Sequence, residues 1–247
     1  MGIHLYCMLE RSGGHTMPNG LNGLAGQSVR ALEFGDVEAW VSDVPRGLPV
    51  TIDAVKVHDQ VVEAALATGA TPVPARYGQR FESDQSCGDA LSRRIGPLRT
   101  LLTRVAGCVE MTLIVTPSTR RMIDDLESER PDTPSEDSPG RAYLEGLRAR
   151  EHAASPDTFP GHRLLGRIQK AVAPWIRGEA THEPVVRRFL MTASHLIERG
   201  ASEPYRAAVA GALTGSDLRV LVVGPRAPYS FCAVQGGLGT HGMNLAD

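Results

Sequence analysis

Eight histidines, four cysteines and the hydroxyls and carboxylates around them are the raw material for chemistry in this 247-residue chain. His58 beside Asp59 suggests a base with a carboxylate, but consecutive helical residues point about 100° apart and cannot orient one another. His58 also falls on an apolar face, where a buried, hydrogen-bonded imidazole is expected, and the same holds for His195 beside Met191 and Ile197. His182-Glu183 opens a zinc-helix pattern that needs a second histidine four residues on, yet Val186 stands there and Pro184 breaks the helix. Gly20, Gly23 and Gly26 are spaced G-x-x-G-x-x-G, neither a dinucleotide fingerprint nor a P-loop. Ser230 lies between Tyr229 and Phe231, not between the small residues of a nucleophile elbow. Cys7, Cys87, Cys108 and Cys232 form no C-x-x-C pair. The expectation is a protein that is not an enzyme, with no catalytic residues, no metal ligands and no cofactor.

Electrostatics points to no polyanionic partner. The 26 basic and 28 acidic residues are interspersed and leave a net charge of -2. All the basic residues except Lys56 and Lys170 are arginine, and Arg93, Arg94, Arg99 and Arg104 spread around a helix without forming a stripe. With only 5% aromatic residues, stacking platforms for bases are scarce, so no nucleic acid is expected. No apolar run approaches the roughly 18 to 20 residues of a spanning helix. The first residues lack the charged and apolar regions of a secretory signal, so the reading is cytoplasmic with no membrane.

The elements that must carry any site follow from periodicity. A buried strand is expected over 3–9 and a Gly-rich loop over 13–26. A β-hairpin follows over 29–34 and 37–42, turning at Gly35-Asp36. Residues 51–68 read as a helix with Ala54, Val55, His58, Val61, Val62, Ala65 and Leu66 on one broad face. The prolines of 71–78 allow only an edge strand, and 84–105 reads as a helix kinked by Pro97. A boundary is expected near 106, then a strand over 108–115, a helix over 118–129 and an acidic, Pro-rich loop over 127–140. Helices over 141–151 and 163–175, a strand over 185–197, a helix over 205–213 and a strand over 218–223 complete the pattern. The fold class is therefore α+β in two domains, 1–106 and 107–235, with a flexible tail at 236–247.

Three segments together resemble the GvpL/GvpF gas vesicle protein family: Pro72-Val73-Pro74-Ala75-Arg76-Tyr77-Gly78-Gln79-Arg80-Phe81, Gly140-Arg141-Ala142-Tyr143-Leu144, and Gly224-Pro225-Arg226-Ala227-Pro228-Tyr229-Ser230-Phe231. The chain departs from the family at Ala75 and Tyr77, where members often read P-L-R-F-G. Arg226 and Ala227 stand within what is often G-P-W-P-P-Y-S-F, and Ile114 at a commonly basic position. The resemblance implies two α+β domains, the C-terminal one a modified ferredoxin-like fold with a helical arm. It implies an accessory protein located at the gas vesicle or in the cytoplasm. Its partners would be the main gas vesicle shell protein of GvpA type, whose aggregation it prevents, and other minor vesicle proteins.

Such a protein needs an exposed apolar surface on an otherwise polar body. Arg76, Tyr77, Phe81, Tyr229 and Phe231, in the proline-bounded segments, are the candidate partner-binding residues. Their alternative role is packing, with the aromatics filling a seam and Arg76 paired to an internal carboxylate. A small-molecule-binding regulatory α+β protein is the competing reading, because open sheet faces also accept ligands.

Overall fold

The computed structural model describes residues 1–11, 14–47, 49–117, 160–182, 191–216 and 218–232. Its elements are β1 (Gly2–Glu10), β2 (Arg30–Phe34), β3 (Val37–Val44), α1 (Ile52–Ala67), β4 (Val73–Pro74), β5 (Arg80–Phe81), α2 (Asp84–Ser92), α3 (Ile95–Val105), β6 (Cys108–Pro117), α4 (Pro160–Val172), β7 (Ile176–His182), β8 (Met191–Glu198), α5 (Ser202–Ala212) and β9 (Leu218–Arg226). The fold is mixed helix and sheet, with two antiparallel sheets. The elements expected over 118–129, 127–140 and 141–151, the segment from Gly140 to Leu144, the first part of the 185–197 strand and the tail 236–247 lie outside the described residues.

The described chain forms two compact units, one made of Met1–Glu110, Leu196–Arg199 and Gly224–Asp247, the other of Met111–His195 and Gly200–Val223. This division differs from a single break near 106. Residues 224–232 are bonded to the rest of the first unit: Ala227 N–H donates to Glu63 at 3.2 Å, and Ser230 N–H to Glu110 at 2.8 Å.

In the first unit the sheet runs β2-β3-β1-β4, with β5 also pairing β1. The hairpin forms as expected, Phe34 facing Val37 across the Gly35-Asp36 turn. Strand β1 is buried from Ile3 to Leu9, so both faces carry core side chains. Its register against β3 shifts between Leu5 and Cys7. Thr51 starts α1 by accepting the Ala54 N–H at 3.1 Å, and His58, Val61, Val62, Ala65 and Leu66 are its buried residues. The expected single helix over 84–105 is two helices, broken at Arg93-Arg94. Pro97 is the third residue of α3, where its missing N–H would have had no intrahelical partner.

In the second unit the sheet order is β7-β8-β6-β9. Leu164, Leu165, Ile168 and Val172 of α4 are buried, as are Tyr205 and Val209 of α5. The Arg167 guanidinium donates to the carbonyl of Ala212 at the end of α5. Strand β7 was not expected. Its Ile-Arg-Gly-Glu-Ala-Thr-His sequence lacks an apolar alternation, which an edge position does not require.

The Gly-rich loop has one steric anchor. A Cβ at Gly23 would stand 2.1 Å from the Tyr6 hydroxyl oxygen and 2.8 Å from Tyr6 Cζ. We expect Gly23→Ala to cost about 1–3 kcal/mol in a urea or thermal melt. Adding Tyr6→Phe, which removes the clashing oxygen, should cost less than the two single changes summed. A Gly23→Ala melt matching wild type would refute this packing.

Candidate functional site

Both described signature segments are built onto β1 and α1. Beyond β4 the chain arches over β1: Ala75 N–H donates to Tyr6 O at 2.8 Å, and Leu5 N–H to Gln79 O at 3.1 Å. The turn closes through Gln79 N–H on Arg76 O at 3.2 Å and places Gly78 at φ +88°, which favours glycine. Pro72 and Pro74, which lack donors, are buried at this sheet edge.

Under the arch lies a chain of imidazoles. His58 Nε2 is 3.1 Å from Ala75 O, and a carbonyl only accepts, so that nitrogen carries the proton. His58 Nδ1 is then bare and accepts from His4 Nε2 at 2.8 Å. The Tyr77 ring packs 5.6 Å from His4 and 5.7 Å from His58, and Tyr6 lies 4.8 Å from His4. The Tyr6 hydroxyl accepts the Leu24 N–H at 2.7 Å and bonds Ser42 Oγ at 2.7 Å. Burial, with His58 and Arg80 adding repulsion, pushes His4 down to about 3. Burial lowers His58 as well, against the Ala75 carbonyl and Asp59. Both rings are therefore neutral near pH 7.

The second segment is held by carboxylates. Glu63 on α1 accepts the Ala227 N–H, and burial raises its pKa. Glu110, 3% exposed, accepts from Ser230 N–H and Ser230 Oγ–H, each at 2.8 Å. The Arg226 guanidinium lies 5.3 Å from the Tyr229 ring centroid and 3.9 Å from Asp59. Thus Arg226, a departure from the family pattern, has found an aromatic face and a carboxylate. Ala227 is fully buried.

The five residues expected at a partner surface fall in different settings. Arg76 is exposed, and no ion pair is described for it, so an internal carboxylate partner does not exist among the described residues. Tyr77 and Tyr229, both half-buried, pack on one cluster that includes Tyr6, Cys7, Trp40, Val61, Val62 and Ala227. Phe81 is half-buried in β5, opposite Ile3. Phe231 is 5% exposed. His58 and His195 are buried and hydrogen-bonded, His195 Nδ1 lying 2.7 Å from the Tyr205 hydroxyl.

Sequence reasoning missed His4, Glu63 and Glu110 as partners of these segments. Glu110 left a signal, a lone carboxylate in a β-branched apolar run, which must find donors if buried. His4 and Glu63 left none, because their partners are backbone or distant in the chain. Chemically the arrangement orders loops. The histidines are deeply buried, burial pushes the Cys87 and Cys232 thiols up to about 12, and thiols so raised are poor nucleophiles near neutrality. Among the described residues, no three His, Cys, Asp or Glu gather to hold a metal ion, and no helix is long and apolar enough to cross a membrane.

The model of the family described as gas vesicle synthesis protein GvpL/GvpF matches residues 2–233. Over 240 residues the chain is 25% identical to gas vesicle protein L of Streptomyces sp. (strain CB03234), covering 88% of each chain. It is 24% identical to gas vesicle protein F2 of Halobacterium salinarum, covering 95% of this chain and 94% of that one. The crystal structure of GvpF from Anabaena sp. PCC7120 superposes with a TM-score of 0.70 at 17% identity, over 94% of this chain and 96% of that one. GvpF from Microcystis aeruginosa gives 0.70 at 15%, over 94% and 99%. At these identities the two structures establish the fold.

The neutral histidines make stability depend on pH. Unfolding returns His4 and His58 to a pKa near 6.5, and His195, also lowered by burial, adds to them with the same sign. Below that pH the unfolded chain binds protons the folded chain refuses, so stability is full above it and drains as pH falls through the lowered folded-state values, by up to about 1.4 kcal/mol per pH unit for each histidine, and for His4 down to about 3. We expect the Tm to drop between pH 7 and pH 5, above the carboxylate range. A His4→Gln/His58→Gln variant should melt lower at pH 7 but show a shallower slope. An unchanged slope in that variant would remove the dyad as its source.

Proposed function

The chain belongs to the gas vesicle synthesis protein GvpL/GvpF family, and from that premise we propose that it binds the hydrophobic main shell protein, of GvpA type, and prevents its aggregation during vesicle nucleation and assembly. The observation that carries this reading is the family match along residues 2–233, which supports an accessory role in gas vesicle formation. The relatives' own names place them in the same system. On this reading the protein works at the gas vesicle, contacts other minor vesicle proteins as well, and acts by binding, not by catalysis.

We read the second unit as a modified ferredoxin-like fold with α4 as its helical arm. Support comes from the described order β6-α4-β7-β8-α5-β9 and the sheet order β7-β8-β6-β9, the pattern of a split βαβ unit. For the partner surface, Arg76 is the most open member of the candidate set, Tyr77, Phe81 and Tyr229 being half-buried and Phe231 buried. Tyr77, Phe81, Tyr229 and Phe231 contribute by fixing the loops beside it.

Co-expression with the main shell protein, followed by sedimentation and pull-down, tests the proposal. The shell protein should remain in the supernatant and co-purify with this chain, while in its absence it pellets. A shell protein that pellets equally with and without the chain, with none retained on it, would sink the reading.

A further inference from the structure

The chain from Gly14 to Gly20 covers part of the core with little backbone support. From Gly14 to Met17 the backbone makes no hydrogen bond among the described residues, and Thr16, Pro18, Asn19 and Gly20 are exposed. Two side chains hold the segment. Met17, half-buried, packs against the cluster that contains Trp40 and Leu24, and the His15 side chain, 2% exposed, places Nε2 2.9 Å from Glu38 Oε1 on β3. The same oxygen accepts the Trp40 Nε1–H at 2.6 Å, so one carboxylate joins the segment to the core tryptophan. Beyond Gly20 the support changes, because Val29 N–H donates to Leu21 O at 2.9 Å and Leu24 N–H to the Tyr6 hydroxyl at 2.7 Å.

The attachment is polar but incomplete. A carboxylate only accepts, so His15 Nε2 donates to it, while His15 Nδ1 is buried without a partner. Lifting the segment hydrates that nitrogen, which offsets part of the loss of the Glu38 bond and of Met17 packing. Gly14 and Gly20 stand at φ +67° and +71°, and a Cβ at either would meet nothing within 4 Å. These glycines therefore serve the backbone and not close packing, as pivots would. Segments with few backbone bonds and few buried side chains open at a smaller cost than the fold as a whole. What lies beneath is apolar, for Trp40 is fully buried and Leu24 1% exposed.

We propose that residues 14–20 are a strap that lifts from the sheet while the rest of the first unit stays folded, with the His15–Glu38 bond as its latch and Gly14 and Gly20 as its hinges. A strap of this kind keeps apolar surface beside Trp40 hidden until it lifts, which limits self-association in the closed form. The device holds whichever partner the chain binds.

In the full chain carrying Trp175→Phe, Trp40 is the sole tryptophan. Its quenching by acrylamide, and subtilisin cleavage mapped by mass spectrometry, are followed well below the melt in this background and with His15→Ala, His15→Gln or Leu102→Ala added. Leu102→Ala opens a cavity in α3, outside the cluster on which Met17 packs. His15→Ala should give a severalfold larger quenching constant and new cuts confined to 14–20, with the far-UV circular dichroism unchanged. His15→Gln, whose Nε2 can still donate to Glu38, should stay near the background, and so should Leu102→Ala despite its lower Tm. Quenching and cleavage in His15→Ala that match the background, or that rise only together with loss of circular dichroism, overturn the strap. An equal rise in Leu102→Ala overturns it as well, because exposure would then follow general loss of stability. His15→Gln as open as His15→Ala would overturn the latch.

Discussion

A strand buried on both faces must find partners within the protein for its polar groups, and β1 carries two polar rings, His4 and Tyr6, bonded through His4 Nε2 and the Tyr6 hydroxyl, while His4 Nδ1 is left without a partner. Much of the first unit follows from how they are satisfied. The Tyr6 hydroxyl takes the Leu24 N–H, which draws the Gly-rich loop onto the sheet and leaves no room for a side chain at Gly23. His4 donates to His58, which donates to Ala75, and that short chain joins β1, α1 and the arch in one line. Breaking any member would strand a buried donor or acceptor, a cost of about 1–3 kcal/mol. The elements are coupled by polar satisfaction as well as by apolar area.

The last described segment uses the same principle with charged acceptors. Glu110 sits within β6, nearly sealed from solvent, and an unpaired carboxylate there would be far costlier than a hydroxyl. Both its oxygens are taken up by the backbone and side chain of Ser230. Glu63 similarly fixes Ala227, and Asp59 lies by Arg226. Helix α1 thus offers His58 to one signature segment and Asp59 and Glu63 to the other. The segments share an anchor although about 150 residues separate them in the chain.

Most described elements were legible because they repeat a period: the hairpin around Gly35-Asp36, the helix over α1, the apolar run of β6 and the stripe of α4. Three things were not. Strand β7 has no period to read, since an edge strand needs none. The break at Arg93-Arg94 leaves no signal as loud as Pro97, although the proline lies harmlessly within the first turn of α3. The third is every partnership in the candidate site, because His4 with His58 and Glu110 with Ser230 are 54 and 120 residues apart. Residue type announces that a buried polar group needs a partner. Only the fold says which.

The signature residues carry mostly architecture, and that bears on where function sits. In the arch, Pro72, Pro74 and Ala75 are buried and Tyr77 partly so, and Gly78 supplies a backbone conformation that side chains disfavour. In the closing segment, Ala227 and Phe231 are core, while Ser230 serves Glu110. A motif spent on holding loops has few atoms left to touch a partner, and Arg76 is its exposed long side chain, beside the exposed Gly78 and Pro225. Surfaces that recognise other proteins lie instead where apolar side chains face water without any structural return. Helix α1 itself is held at His58 by the arch, so the motif fixes the helix as well as its own loop.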